Sequence, residues 1–169
     1  MLIKLFKIYL QKLRNYVLGD FRSKKLSQLI VKRIIKYNKK KFIKIVDYGT
    51  GYQPKVVHFV YEQLVKTYKK KIIVDCYDFY SKSDLKKLNS FKKKDINFYN
   101  INSIGKNKKK YDFCLINDVI HHIGIEKEKL IIKILNNLVN ISKMVFIKDH
   151  FQQGIISNNI IRFMDFLGN

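Results

Sequence analysis

The run Ile45-Val46-Asp47-Tyr48-Gly49-Thr50-Gly51 places a carboxylate and two glycines directly after the apolar stretch 42–46 and just before a segment that opens at Pro54. A strand that runs into a glycine turn and then a helix brings backbone close to a nucleotide-like ligand. The acid narrows the choice of ligand. A dinucleotide pyrophosphate seeks helix N–H groups with no negative charge beside them, so Asp47 repels it, whereas an ammonium or sulfonium group is attracted. Further polar residues that can do chemistry follow: Asp75 and Asp78, Asn102, Asn117-Asp118, His121-His122 and Asp149-His150. His and Asp side by side offer proton transfer. The two adjacent histidines lack the i, i+4 spacing or the cysteine partner of a metal site, so none is expected.

These residues need elements to position them. Strand-like runs occur at 42–47, 72–77, 96–101, 111–117 and 144–149. Helical spacing of apolar residues occurs at 54–68, 82–90 and 126–140, with a last helix at 155–167. Ahead of the first strand, 2–18 and a second segment through Leu26, Leu29, Ile30 and Ile34 also read as helices. Strands alternating with helices imply an α/β domain whose parallel sheet carries helices on both faces. The expected organisation is an N-terminal helical lid over 1–37 and a ligand-binding core over 38–169.

The chain has 169 residues, 47% of them hydrophobic, enough for a single core. No apolar run approaches the roughly 20 residues of a membrane span, and the lysine-broken N-terminus lacks a cleavage site, so a cytoplasmic protein is expected. Cys76 and Cys114 fall on strands flanking the first one, about 9–10 Å apart, too far for a disulfide.

The formal charge of +22 points toward polyanions. The absence of Ala and Trp and the abundance of Lys, Asn, Ile, Phe and Tyr also match the drift of a genome poor in G and C. Position is more telling than number. Lys39-Lys40-Lys41, Lys69-Lys70-Lys71, Lys92-Lys93-Lys94 and Lys108-Lys109-Lys110 each precede a strand, so a parallel sheet gathers them at one edge. The acids and amides gather at the other, where ligands of open α/β sheets bind. The pocket is thus expected to be acidic, with a basic belt behind it that supports at most loose contact with nucleic acid or a membrane surface.

Over residues 20–169 the pattern resembles the class I S-adenosylmethionine-dependent methyltransferases, which have a Rossmann-like fold. Asp47-Tyr48-Gly49-Thr50-Gly51 is similar to the family's first motif, which implies that Asp47, Gly49, Thr50 and Gly51 hold the methionine part of the cofactor. Asp78 resembles the acid that closes the second strand and bonds the ribose hydroxyls; Asp75, inside the strand, is the less suitable of the two. Asn102 stands where an acid often faces the adenine amine. The run Tyr111-Asp112-Phe113-Cys114-Leu115-Ile116-Asn117-Asp118 resembles the fourth strand of members acting on small molecules, with Asn117 and Asp118 lining the cofactor. Met144-Val145-Phe146-Ile147-Lys148-Asp149-His150 resembles the fifth.

The resemblance implies S-adenosylmethionine as cofactor and a small-molecule methyl acceptor, with Asp149, His150 or His122 as general base where the acceptor must lose a proton. Two departures stand out. Gln53 occupies the place of the usual third glycine, and no residues remain after Asn169 for the family's closing antiparallel hairpin, so an incomplete core is expected. A nucleic-acid methyltransferase and a non-catalytic polyanion-binding α/β domain are the alternatives. No Asn/Asp-Pro-Pro-Tyr/Phe signature follows the fourth strand, which argues against base amino-group methylation.

Overall fold

In the computed structural model, which describes residues 20–90, 93–106, 109–123 and 127–149, five strands form one parallel sheet. They are β1 (Phe42–Tyr48), β2 (Lys71–Asp78), β3 (Ile96–Asn100), β4 (Tyr111–Asn117) and β5 (Ser142–Lys148). The order is β3-β2-β1-β4-β5, and every pairing is parallel. The helices are α1 (Asp20–Tyr37), α2 (Lys55–Glu62), α3 (Lys82–Ser90), the single turn α4 (Ile120–Ile123) and α5 (Glu128–Ile141). A π-helical turn, Gln63–Thr67, extends α2. The segments at 2–18 and 155–167, and His150, lie outside the described residues.

Alternation along the strands sorts side chains to two faces. Ile43 and Ile45 of β1, Ile72, Val74 and Cys76 of β2, and Phe113 and Leu115 of β4 form one core with Ile30, Val31 and Ile34 of α1 and Val57 and Val60 of α2. Val46, Tyr77, Cys114 and Ile116 face the other way and meet Leu138 of α5. Each fully buried aliphatic side chain contributes roughly 1.5–3 kcal/mol, so β1 and β4, each with five of seven residues buried, anchor the middle of the sheet. Helices therefore lie on both faces, as the α/β pattern predicts. Cys76 and Cys114 are both buried free thiols, and they belong to the two different cores.

The helix 20–37 belongs to the main core through its apolar face. It is also tied to the turn after α2: Gln63 Nε2 donates to Ser27 Oγ at 2.8 Å, and that hydroxyl donates to the Lys24 carbonyl at 2.7 Å. Among the described residues no helix is long and apolar enough to cross a membrane.

The strand order reverses direction between β1 and β4. Connections leave that point toward opposite sides, opening a crevice at the carboxyl ends of the two strands. The lysines preceding β1, β2, β3 and β4 consequently share the opposite edge, as predicted; Lys92 and Lys108 lie outside the described residues.

Candidate functional site

β1 ends in Asp47, whose side chain is only 4% exposed. Its Oδ1 makes no hydrogen bond among the described residues. Burial pushes the carboxyl up to about 7; the Thr50 hydroxyl opposes that shift and the negative charge of Asp78 adds to it. A buried carboxylate without a partner is costly, and a cation brought to Oδ1 offsets that cost. The chain beyond turns sharply: Gly49 and Gly51 have φ of +75° and +70°, a region that penalises a Cβ. Gly49 is constrained a second time, since a Cβ there would sit 2.4 Å from the Val119 side chain.

The turn is clasped to β2. The N–H groups of Gly49 and Thr50 both donate to the Tyr77 carbonyl, at 2.8 and 3.3 Å. The Gly51 N–H donates to Asp78 Oδ2 at 2.6 Å, and Tyr80 Oη donates to the Gly51 carbonyl at 2.6 Å. Asp78 Oδ1 accepts the Phe79 N–H at 2.6 Å. Asp78 therefore stands beside the glycine turn, each of its oxygens already holding one backbone donor and retaining a second lone pair.

A cleft of about 250 Å³ opens here, lined by Asp47, Gly49, Thr50, Gln53, the start of α2, Asn117, Asp118 and Ser23 of α1. Of the residues picked out in the sequence, Asp47, Gly49, Thr50, Asn117 and Asp118 meet in this cleft, while Gly51 and Asp78 adjoin it through the clasp. Asn102 does not line the cleft. It lies in the 3₁₀ turn Ile101–Ser103, where its N–H donates to Asn100 Oδ1 at 2.9 Å. Asp75 lies within β2, buried, and accepts from Tyr111 Oη (2.8 Å), Asn97 Nδ2 (3.0 Å) and Lys109 Nζ (2.8 Å). Its donors come from β3, from β4 and from Lys109 just ahead of β4.

At the ends of β4 and β5, Asp118 adopts φ +56°, which is uncommon for a residue with a side chain. Its N–H donates to the Lys148 carbonyl at 2.8 Å, and its carboxylate pairs with Lys148 Nζ. Asp149 anchors the turn that follows β4: Oδ2 accepts the Ile120 N–H at 2.6 Å, and Oδ1 lies 2.5 Å from His121 Nδ1. The His122 ring packs on the His121 ring with centroids 4.0 Å apart. The partner of Asp149 is thus His121, which spacing alone does not distinguish from its neighbour. Only the register that sets β5 beside β4 brings Asp149 to it. Ser23 is the other contributor that no sequence signal marks. No group of acids, histidines and cysteines able to hold a metal occurs among the described residues.

No protein-family model matches the chain, and no curated protein matches it in sequence. Solved structures do. The plantazolicin methyltransferase BpumL in complex with SAH superposes with a TM-score of 0.55 at 19% identity, over 78% of this chain and 47% of that one. Crystals of BpumL with SAH and a monoazolic or a pentazolic desmethylPZN analog match equally well. This chain therefore spans about half the length of those enzymes. At this identity the likeness is one of fold: the sheet and its helices share the Rossmann-like architecture of that methyltransferase.

Proposed function

We propose that the protein binds S-adenosylmethionine at the carboxyl ends of β1, β2 and β4 and transfers its methyl group to a small-molecule acceptor. The observation that carries this reading is Asp47: a buried carboxylate with an unbonded oxygen, behind a two-glycine turn, facing a cleft at the switch point of the sheet. The residues present fit the cofactor. Asp47 would take its ammonium group, the Gly49–Gly51 backbone would pass along its aminoacyl part, and Asp78 would accept from the ribose hydroxyls while keeping Gly51 in place. Asn102 would reach the adenine from the end of β3. Asp47, Asp118 and Lys55 are the charged residues of the lining; Asp118 is paired with Lys148, so Asp47 is the carboxylate that would meet a cationic ligand. That BpumL was crystallised with SAH and with desmethylPZN analogs supports a reading with this cofactor and a small-molecule acceptor.

When bound, the cofactor supplies a methyl group on a positively charged sulfur, already a good leaving group, so the protein's main task is alignment. Proton removal falls to the Asp149–His121 pair. With Nδ1–H donated to the carboxylate, the imidazole carries its basic lone pair on Nε2. Asp149 fixes that tautomer and ties the ring to the start of α4, the turn whose Val119 abuts Gly49. An acceptor hydroxyl would give up its proton to His121 Nε2, and a protonated amine would have to do so first, before its nitrogen has a lone pair to offer. His122 and His150 are the neighbouring alternatives for this role, and residues 1–37 are proposed to cover the acceptor side.

Isothermal titration with S-adenosylmethionine and S-adenosylhomocysteine tests the reading. Saturable binding by the full chain, lost in Asp47→Ala, is expected. A folded protein that binds neither compound would overturn it.

A further inference from the structure

We propose that the lysine-lined cleft at the amino-terminal edge of the sheet docks the phosphate backbone of a single-stranded nucleic acid, at a site separate from the one at the carboxyl ends. The cleft has a volume of about 340 Å³ and lies between the starts of β1, β4 and β5, with Lys40, Lys44, Lys110, Lys143, Phe42 and Asp112 in its wall. Four lysines and a single carboxylate line it. Asp112 accepts the Lys44 N–H at 3.1 Å and Lys143 Nζ at 3.0 Å, and lies 3.9 Å from Lys40 Nζ. It gathers these lysines and cancels only one of their charges. The side chains of Lys40 and Lys143 remain 63% and 66% exposed, open to a phosphate oxygen. A second fixed ammonium is that of Lys110, which donates to the Asn140 carbonyl at 2.7 Å.

The basic surface continues along the edge. Strand starts about 4.8 Å apart carry Lys39, Lys41 and the run 69–71, while Lys93 and Lys94 precede β3. Exposed aromatic rings stand among them: Tyr37, Phe42 and Tyr68. The ring of Phe42 has Lys44 Nζ at 5.8 Å and Lys71 Nζ at 5.9 Å from its centroid. Cations that track a backbone beside aromatic faces on which bases stack are the elements of single-strand recognition. An anionic lipid surface calls instead for several apolar side chains projecting together from an amphipathic face, and two of these three rings carry hydroxyls. From Phe42 to Tyr48 the strand rises about 20 Å, so a strand held here lies far from Asp47. It serves as a docking partner, and the acceptor edge stays open.

Because the whole chain is strongly basic, the test must hold net charge constant. One triple variant carries Lys40→Gln, Lys44→Gln and Lys143→Gln. A second carries Lys25→Gln, Lys129→Gln and Lys133→Gln, all on exposed helix faces. Fluorescence anisotropy with labelled oligo-dT and oligo-U across a salt series reads affinity and its salt slope, and circular dichroism melts establish that both variants fold. The edge triple should bind at least tenfold more weakly, with a salt slope smaller by about 2, at roughly 0.7 per lost phosphate contact. The helix triple should change affinity less than threefold, and both should bind S-adenosylmethionine as the parent does. Equal weakening in the two triples would overturn the proposal. So would tighter binding to a duplex of the same length, or a stronger preference for phosphatidylserine vesicles than for oligonucleotide at equal salt. Failure of the cofactor reading would leave these outcomes unchanged.

Discussion

Asp47 and Asp112 are carboxylates on neighbouring strands of one sheet, at its opposite ends, and their surroundings move their ionisation in opposite directions. Asp47 is buried with an unbonded oxygen, and its carboxyl rises to about 7. Partial burial alone would raise Asp112 as well, but the Lys44 N–H and the ammonium groups of Lys143 and Lys40 hold it below the usual carboxylate range. A carboxylate whose donors are all supplied by the protein does structural work, as Asp112 and Asp75 do. One that the fold buries with an oxygen left unbonded, as at Asp47, carries a cost that a ligand can relieve. The comparison thus marks the acidic end as the place for a cationic ligand and the basic end as a surface for anions.

The largest effect should come from removing the Asp47 charge. Asp47→Asn should weaken S-adenosylmethionine binding by roughly a hundredfold or more, since a charge-assisted contact in a buried site is lost. The same substitution should stabilise the free protein. The folded value lies above the unfolded 3.8, so between about pH 4 and 7 the folded state holds a proton that the unfolded chain has released. Stability from this group is therefore greatest at low pH, falls as pH rises toward 7 and levels off above it. A shift of this size corresponds to a penalty on the order of 4 kcal/mol at pH 8. Denaturant melts at pH 5 and pH 8 should show Asp47→Asn more stable than the parent mainly at the higher pH; equal gains at both would break the comparison.

Ligand affinity should run the opposite way to stability. The ionised form of Asp47 holds an ammonium, so affinity should climb roughly tenfold between pH 6 and pH 7.5, as the carboxyl loses its proton. Titrations at several pH values would detect this, and Asp47→Asn should flatten the curve. A parent curve without slope would place the ligand's cation elsewhere.

The two glycines should separate packing from strain. In Gly49→Ala the new Cβ meets Val119 at 2.4 Å on a backbone of φ +75°, which should cost about 2–4 kcal/mol. Gly51→Ala meets nothing within 4 Å and should cost only about 1 kcal/mol of backbone strain. Adding Val119→Ala should recover part of the first loss and none of the second, a coupling that a double-mutant cycle measures.

Much of this was legible in the residues. Strand positions, parallel direction and the polarity of the two edges follow from apolar runs, from the helices between them and from lysines placed ahead of strands. Asp47 is conspicuous because an acid at a strand end next to two glycines has few structural uses. What stayed hidden depends on register and side-chain direction. Nothing in His121-His122 shows which ring meets Asp149, because that contact joins residues 28 apart in sequence, beyond the ends of β4 and β5. The binding of the Gly51 N–H by Asp78 is equally invisible, although both residues are singled out for other reasons. Ser23 reaches the cleft only through the packing of a helix whose sequence pattern reports its apolar face.

The smallest effect is expected at the basic edge, and it tests whether Asp112 is as ordinary as its bonds imply. Asp112→Asn keeps an oxygen that can accept the Lys44 N–H and removes only the charge shared with Lys143 and Lys40. Both lysines are largely exposed, and exposed ion pairs contribute about 0–1 kcal/mol, so the loss at neutral pH should stay below about 1 kcal/mol. Because the folded carboxyl is held below its usual range, its contribution is present above the unfolded value and disappears as pH falls through the folded one. The deficit of Asp112→Asn relative to the parent should therefore shrink on acidification, the reverse of the trend at Asp47. Cofactor affinity should not change, since the substitution lies a strand's length from the cleft. Single-strand affinity should rise, because the edge gains one net positive charge. A fall in cofactor affinity would show that the two ends communicate through β1 and β4, and the division of labour between them would have to be abandoned.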